Sequence, residues 1–425
     1  MPSTTPTLSG DTARAAAAGL GFDRPPTVDS PRRQVGIELE WLAVHADDPS
    51  VPASLEATTA AAAAGPPLPG GSRLTFEPGG QVELSSPPLP LLAACEVTAR
   101  DAASLGVVLA DAGISLVAVG LEPGPRRARA VLTPRYDAME AYFDSHGTAG
   151  RTMMRSTAAL QVNLDLGAGD EVETRWRAAH AVGPVLAAAF ANSPIGPDGP
   201  TGFRSTRLAV WDDVDPCRTG VVNGHVTGRD SWAEYAMEAR VMLVRTSPDD
   251  YVPVLEPFTF GDWIERGHAL GWPTIDDLEY HLTTLFPPIR PRGWLELRML
   301  DSVPDPWWRV ATAVSAVLIQ DRDAAAVLEP DLRGVRDRWA TAARDGLSDP
   351  VLGAAARACF DVALDAMRAG VADPTTIAAT ERFVDDYVRR GRGPADDRLD
   401  EWAAGLDPMP EPDNRPLSGV GDPWA

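Results

Sequence analysis

Glu38 and Glu40 stand two residues apart and open the run of acidic and amide side chains with which this sequence could do chemistry. They alternate with Val35, Ile37, Leu39 and Trp41, so a strand here puts the apolar set on one face and both carboxylates on the other. The same alternation sets Glu83 against Val82 and Leu84. It sets Gln161, Asn163 and Asp165 against Leu160, Val162, Leu164 and Leu166, and Glu296 and Arg298 against Leu295, Leu297 and Met299. A lone glutamate on a half-exposed strand is ordinarily a solvated residue. Recurrence across distant segments is what points to a site. Side by side in one antiparallel sheet, these faces form a floor of carboxylates and amides, which is unstable unless something positive neutralises it. Lysine is absent, so all 38 basic residues are arginine. A divalent cation is the simplest counter-charge, and an oxygen-only donor set points to Mg²⁺ or Mn²⁺.

The elements that must position these groups are short strands joined by turns. Pro78-Gly79-Gly80 reads as a tight turn, which puts Glu77 and Glu83 on either side of a hairpin. A second run places Arg204, Arg207 and Arg218 around Trp211 and several aspartates. The planar arginine fork suits carboxylate or phosphate recognition, although a salt-bridged loop would look the same locally. Residues 134–143 read as an amphipathic helix with Pro134 at its first position. Ala-rich helical patterns follow Pro304, over 305–324, 332–345, 350–369 and 374–390. Strands concentrated early and helices late predict an α+β fold. Residues 1–30 are expected to be a flexible N-terminal arm with at most a short helix. Residues 31–410 are expected to be one catalytic domain, helical from about 305, and 411–425 a tail.

Composition excludes several classes. A net charge of −22 repels a phosphate backbone, so nucleic acid is not an expected partner. Neither a Walker-type phosphate loop nor a lysine Schiff base is possible without lysine. No run of 18 apolar residues or secretory leader is seen, which predicts a cytoplasmic protein without a membrane span. Cys95, Cys217 and Cys359 are too scattered for a disulfide framework or a zinc site.

Taken in order, GIELEW, LTFEPGGQVELSSPP, PRYDAMEAYF, GRTMMRSTAALQVNLD, FANSP, SRLAVWDDVDPCRTG and WLELRMLD resemble the glutamate–cysteine ligases of plants and many bacteria. They are most similar to the actinobacterial enzymes that supply ergothioneine synthesis. The matching runs cover roughly 31–310. The resemblance implies a glutamine synthetase/guanido kinase-like fold, in which a curved, largely antiparallel sheet forms a funnel and helices pack its outer face. It implies that ATP phosphorylates the γ-carboxylate of L-glutamate and that the amine of L-cysteine then displaces phosphate from γ-glutamyl phosphate. By motif position, Glu38, Glu40, Glu83 and Glu296 would be metal ligands, with Glu77 a further one and Gln161 a weaker candidate. Arg207, Trp211 and Arg204 would bind substrate. Arg298, Arg218 and Asn163 would act in catalysis, Arg298 on the phosphoryl charge and Asn163 by orienting substrate or a metal-bound water. The expected assembly is a monomer or a weak homo-oligomer. Two alternatives remain at this level: a ligase of the same fold using a different amine, and a non-catalytic nucleotide-binding regulator.

Overall fold

In a computed structural model the described residues are 8–23, 33–222, 227–328 and 330–413. Twelve strands run in chain order as β1 Gln34–His45, β2 Arg73–Phe76, β3 Val82–Ser85, β4 Leu89–Pro90, β5 Ile114–Val117 and β6 Ala159–Asp165, followed by β7 Ile195–Gly196, β8 Gly199–Pro200, β9 Leu243–Ser247, β10 Asp250–Pro253, β11 Ile289–Pro291 and β12 Trp294–Asp301. The main sheet has the order β11-β12-β6-β1-β3-β2, and β4 and β5 pair with different stretches of β1. Every described pairing within it is antiparallel. The long β1 is therefore the spine, and the strands around it come from distant parts of the chain.

Period-two alternation makes this sheet two-faced. Val35, Ile37, Leu39 and Trp41 join Leu160, Val162, Leu164, Leu295 and Leu297 in the main apolar core. Helices Leu91–Asp111, Glu171–Ala189 and Trp307–Gln320 cover that face. Alanine fills much of their packing surface, with Ala179, Ala187, Ala188, Ala311 and Ala313 all buried. Small side chains allow close helix approach, and Phe190, Phe360 and Phe383 fill the remaining space as a stacked group. Replacing a fully buried sheet residue such as Leu297 by Ala is expected to cost about 2–5 kcal/mol.

Helices are not confined to the last quarter, because 91–111, 171–189 and 228–238 are helical as well. Alanine is weakly apolar, so its periodicity hardly shows in sequence. The pattern over 332–345 yields only Trp339–Asp345. The helix Pro134–Asp144 forms as expected, with the Thr133 hydroxyl accepting from the Tyr136 amide.

Two boundary expectations need correction. Gly10–Phe22 is a helix, capped by Ser9, that buries Ala13, Ala17 and Phe22. Gly293 N donates to Gly21 O at 2.7 Å, tying this helix to the β11–β12 turn. The alanine run was too weakly apolar to announce that docking. At the other end, Asp413 N donates to Leu116 O, and the Asp413 carboxylate accepts from Trp41 Nε1 at 3.0 Å. The packed chain thus extends at least to 413, and the remainder of both expected terminal segments lies outside the described residues.

Candidate active site

Strand register builds the polar face row by row. Glu40 lies directly opposite Glu83, and Glu83 opposite Thr75. Glu38 pairs with Gln161 on one side and Ser85 on the other. Asn163 faces Glu296, and Glu296 faces Arg290. Between Leu297 and Leu300 the register slips by one residue, a bulge that carries Arg298 beside Gln161. The turn between β2 and β3 brings in Glu77, whose carbonyl accepts from Gly80 N at 2.8 Å. Gly79 is required there, because a Cβ would lie 2.0 Å from the Arg155 carbonyl oxygen.

Three of these carboxylates are held in definite orientations. Glu40 accepts from Ala159 N at 2.8 Å and from Gln161 Nε2 at 3.0 Å. Asn163 Nδ2 donates to Glu38 at 2.9 Å, while Asn163 Oδ1 accepts from Trp294 Nε1. Glu83 accepts from the Thr75 hydroxyl at 2.5 Å and the Ser85 hydroxyl at 3.2 Å. None of these partners carries charge. The shortage of positive charge shows in the acidities. Burial, and then the charges of Glu296 and Glu83, push Glu38 up to about 7. Burial and Glu83 push Glu40 up to about 7. Burial, and then Glu40 and Glu83, push Glu77 well above the usual carboxylate range. The phenol of Tyr136 is raised to about 12 by burial and then by Glu77.

Glu296 differs. Arg290 donates to both of its oxygens, at 2.5 and 3.0 Å, and Arg292 and Arg298 each donate at 3.1 Å. Burial opposes its ionisation, but Arg290, Arg298 and Arg292 outweigh it and hold the carboxyl well below its ordinary value. These bonds fill the roughly four lone-pair sites of a carboxylate. A cation could reach Glu296 only if a guanidinium withdrew, and Arg292, 43% exposed, is the one free to do so. Among the described residues no three His, Cys, Asp or Glu side chains are already gathered to metal-binding distance. The donor set lacking counter-charge, Glu38, Glu40, Glu77 and Glu83, nevertheless fits a hard divalent cation in chemistry and charge.

The arginines divide. Arg298 reaches the floor, where its Nη1 donates to Gln161 Oε1 at 2.6 Å and its guanidinium lies 5.6 Å from the Trp211 ring centre and 5.7 Å from that of Phe286. Trp211 therefore lies beside the Arg298 end of the floor. Arg207 is buried beneath it, donating to the carbonyls of Arg298 and Leu300, with Asp301 3.9 Å away. Arg218 does not reach the floor. It is fully buried, and all five of its N–H groups have acceptors in Asp215, Thr284, Tyr142 and Arg240. Arg204 also turns away, toward Asp396 at 2.7 Å in the C-terminal helical layer. Neither Arg204 nor Arg218 is placed to meet a substrate on the floor, because other partners already claim each guanidinium, which local sequence cannot show.

Sequence reasoning passed over Arg290, Arg292 and Asp301. The turn at Gly293 pairs 290 with 296, which was a usable signal. Asp301 accepts from Asn192 N, the Ser193 hydroxyl and the Ser205 hydroxyl, fastening the FANSP run to the start of helix Thr206–Val214. A cavity of about 730 Å³ lies on the opposite face of the sheet, between Trp41, Trp307, Tyr387 and Asp413. Its three aspartates are already paired, Asp305 with Arg309, Asp397 with Tyr387 and Asp413 with Trp41.

An antiparallel sheet with an acidic floor is what the resemblance to carboxylate–amine ligases implies, and comparison with known families agrees. Residues 34–411 match the model of glutamate–cysteine ligase family 2, and the chain belongs to that family. It is 43% identical over 401 residues to the glutamate–cysteine ligase EgtA of Mycolicibacterium smegmatis, covering 92% of each chain. It is 31% identical to the chloroplastic glutamate–cysteine ligase of Arabidopsis thaliana, covering 80% of this chain and 68% of the relative. Among solved structures, the glutamate–cysteine ligase of Francisella tularensis in complex with AMP shares the fold at a TM-score of 0.53 and 15% identity, covering 87% of this chain and 85% of that one. The glutamine synthetase-like α+β fold expected from sequence is thus the observed one.

Proposed function

We propose that the protein joins the γ-carboxylate of L-glutamate to the amine of L-cysteine at the cost of ATP, forming γ-glutamylcysteine through a γ-glutamyl phosphate. The observation that carries this reading is the group of carboxylates without counter-charge, Glu38, Glu40 and Glu77 beside Glu83, inside the region matched to the family. Two anions, a carboxylate and a triphosphate, must meet for this reaction. Glu38, Glu40, Glu77 and Glu83 would hold Mg²⁺, or Mn²⁺ in its place, and bound cations would supply the positive charge that lets the reactants approach. Glu296 would join them on release of Arg292.

The chain's own groups then position and polarise. Arg298, held by Glu296 and Gln161 beside Trp211, would turn its guanidinium toward phosphoryl oxygen. Asn163 keeps the Glu38 carboxylate turned to the floor. Arg207 supports this arrangement from below, holding the backbone of the β12 bulge through the Arg298 and Leu300 carbonyls. No side-chain nucleophile is needed, and the burial that pushes the Cys217 thiol up to about 11 fits a bystander. By the same resemblance the product supplies ergothioneine formation in the cytoplasm. Among the described residues no helix is long and apolar enough to cross a membrane.

The test is ADP release from ATP, Mg²⁺ and glutamate, with cysteine and a panel of other amines. Release that requires cysteine and matches γ-glutamylcysteine formation supports the reading. Release that prefers another amine, or ignores the amine, overturns it.

A further inference from the structure

Gln161 is buried, with 5% of its surface exposed, and it bridges two groups of opposite charge. Its Nε2 donates to Glu40 Oε1 at 3.0 Å, and its Oε1 accepts from Arg298 Nη1 at 2.6 Å. A carboxylate only accepts and a guanidinium only donates, so the neighbours allow this amide a single orientation. Among the described residues, Glu296 is the one carboxylate within ion-pair distance of Arg298, and no arginine is that close to Glu40. The second oxygen of Glu40 is fixed by Ala159 N at 2.8 Å. One neutral side chain therefore stands between an anion and a cation that would attract strongly at short range in a poorly solvated site.

We propose that Gln161 is a positioning residue, a neutral spacer that keeps Glu40 and Arg298 from pairing with each other. The carboxylate then stays open to a divalent cation and the guanidinium to phosphoryl oxygen. This inference rests on the metal-dependent reading above. It also explains an amide here rather than a second acid or an apolar residue. A glutamate at 161 would pair with Arg298 and repel Glu40. A leucine would leave Arg298 tethered by Glu296 alone and able to swing onto Glu40, cancelling the charge that the cation needs.

The experiment measures Mn²⁺ uptake by substrate-free enzyme, from the electron spin resonance signal of unbound Mn²⁺. Gln161→Leu is expected to weaken binding at least about tenfold, the scale of losing a group that orients a ligand. Arg298→Met alone is expected to bind Mn²⁺ as tightly as wild type or tighter. The double variant Gln161→Leu/Arg298→Met is expected to recover to within about threefold of wild type, since the other arginine whose charge reaches Glu40, Arg207, stays pinned to the Leu300 and residue-298 carbonyls and cannot swing onto it. If Gln161→Leu fails to fold, Gln161→Met preserves side-chain length and serves in both backgrounds. Binding by Gln161→Leu within twofold of wild type overturns the proposal. So does a double variant as weak as Gln161→Leu, which would make Gln161 itself a ligand. Wild-type enzyme that takes up no Mn²⁺ refutes the metal reading instead, so the two failures are distinguishable.

Discussion

Removing the charge at Glu38 should make the metal-free protein more stable, an outcome opposite to that of most substitutions in a buried site. Burial and the neighbouring glutamates raise this carboxyl from 4.5 to about 7. Between those values the folded chain holds a proton that the unfolded chain releases. Stability therefore falls as pH rises from about 4.5 to about 7 and stays low above that. A rise from 4.5 to about 7 corresponds to about 3 kcal/mol at pH 8. With unfolding entropies of about 2 cal/mol/K per residue, a chain of this length moves about 1 °C per kcal/mol. In EDTA at pH 8, Glu38→Gln should thus melt about 3 °C above wild type, and at pH 5 the two should nearly coincide. Saturating Mg²⁺ should raise the wild-type midpoint strongly and the variant's much less, reversing the order. The assay is differential scanning fluorimetry across pH 5–8 with EDTA or Mg²⁺. A wild-type-minus-variant difference that stays flat across that range in EDTA would refute the reasoning, because Glu38 would then carry no unneutralised charge.

The remaining predictions concern roles. Glu83→Gln should abolish ADP release while leaving the circular dichroism spectrum unchanged, since it removes a charge and no core packing. Near-normal turnover would remove Glu83 from the site. Arg218→Met should cost about 3–5 kcal/mol in denaturant unfolding by stranding buried Asp215, with little change in the glutamate KM of the folded fraction. A large KM change at undiminished stability would restore Arg218 to the substrate site. Arg204→Ala should keep kcat within about twofold of wild type, because it severs a partly exposed pair with Asp396 worth about 1 kcal/mol or less. A tenfold loss would place Arg204 in catalysis. Arg207→Lys should lower both melting temperature and kcat, because a point charge cannot span the Arg298 and Leu300 carbonyls.

The acidic floor was legible because side-chain alternation is a property of the backbone. Once 35–41 and 160–166 are strands, Glu38, Glu40, Gln161 and Asn163 must share their polar faces. That Glu83 lies opposite Thr75 follows from the Pro-Gly-Gly turn joining β2 to β3, but that Glu40 lies opposite Glu83 depends on the register of β1 against β3, which neither that turn nor any periodicity states. Arginine roles were the least legible. Arg204, Arg207 and Arg218 look alike within one motif, yet one reaches the C-terminal layer, one the underside of the floor and one a buried aspartate. A long flexible side chain takes its partner from tertiary packing, and sequence distance carries no record of that. The same holds for Arg290 and Arg292, whose hold on Glu296 exists only because the Gly293 turn folds them back.

Whether Glu38, Glu40, Glu77 and Glu83 act together as a cation site is tested most directly by a crystal soaked with Mn²⁺ and a non-hydrolysable ATP analogue. Anomalous peaks are predicted between these four carboxylates and the phosphates, with Arg292 withdrawn if Glu296 takes part. Peaks elsewhere, or phosphates bound with no metal beside these residues, would contradict it.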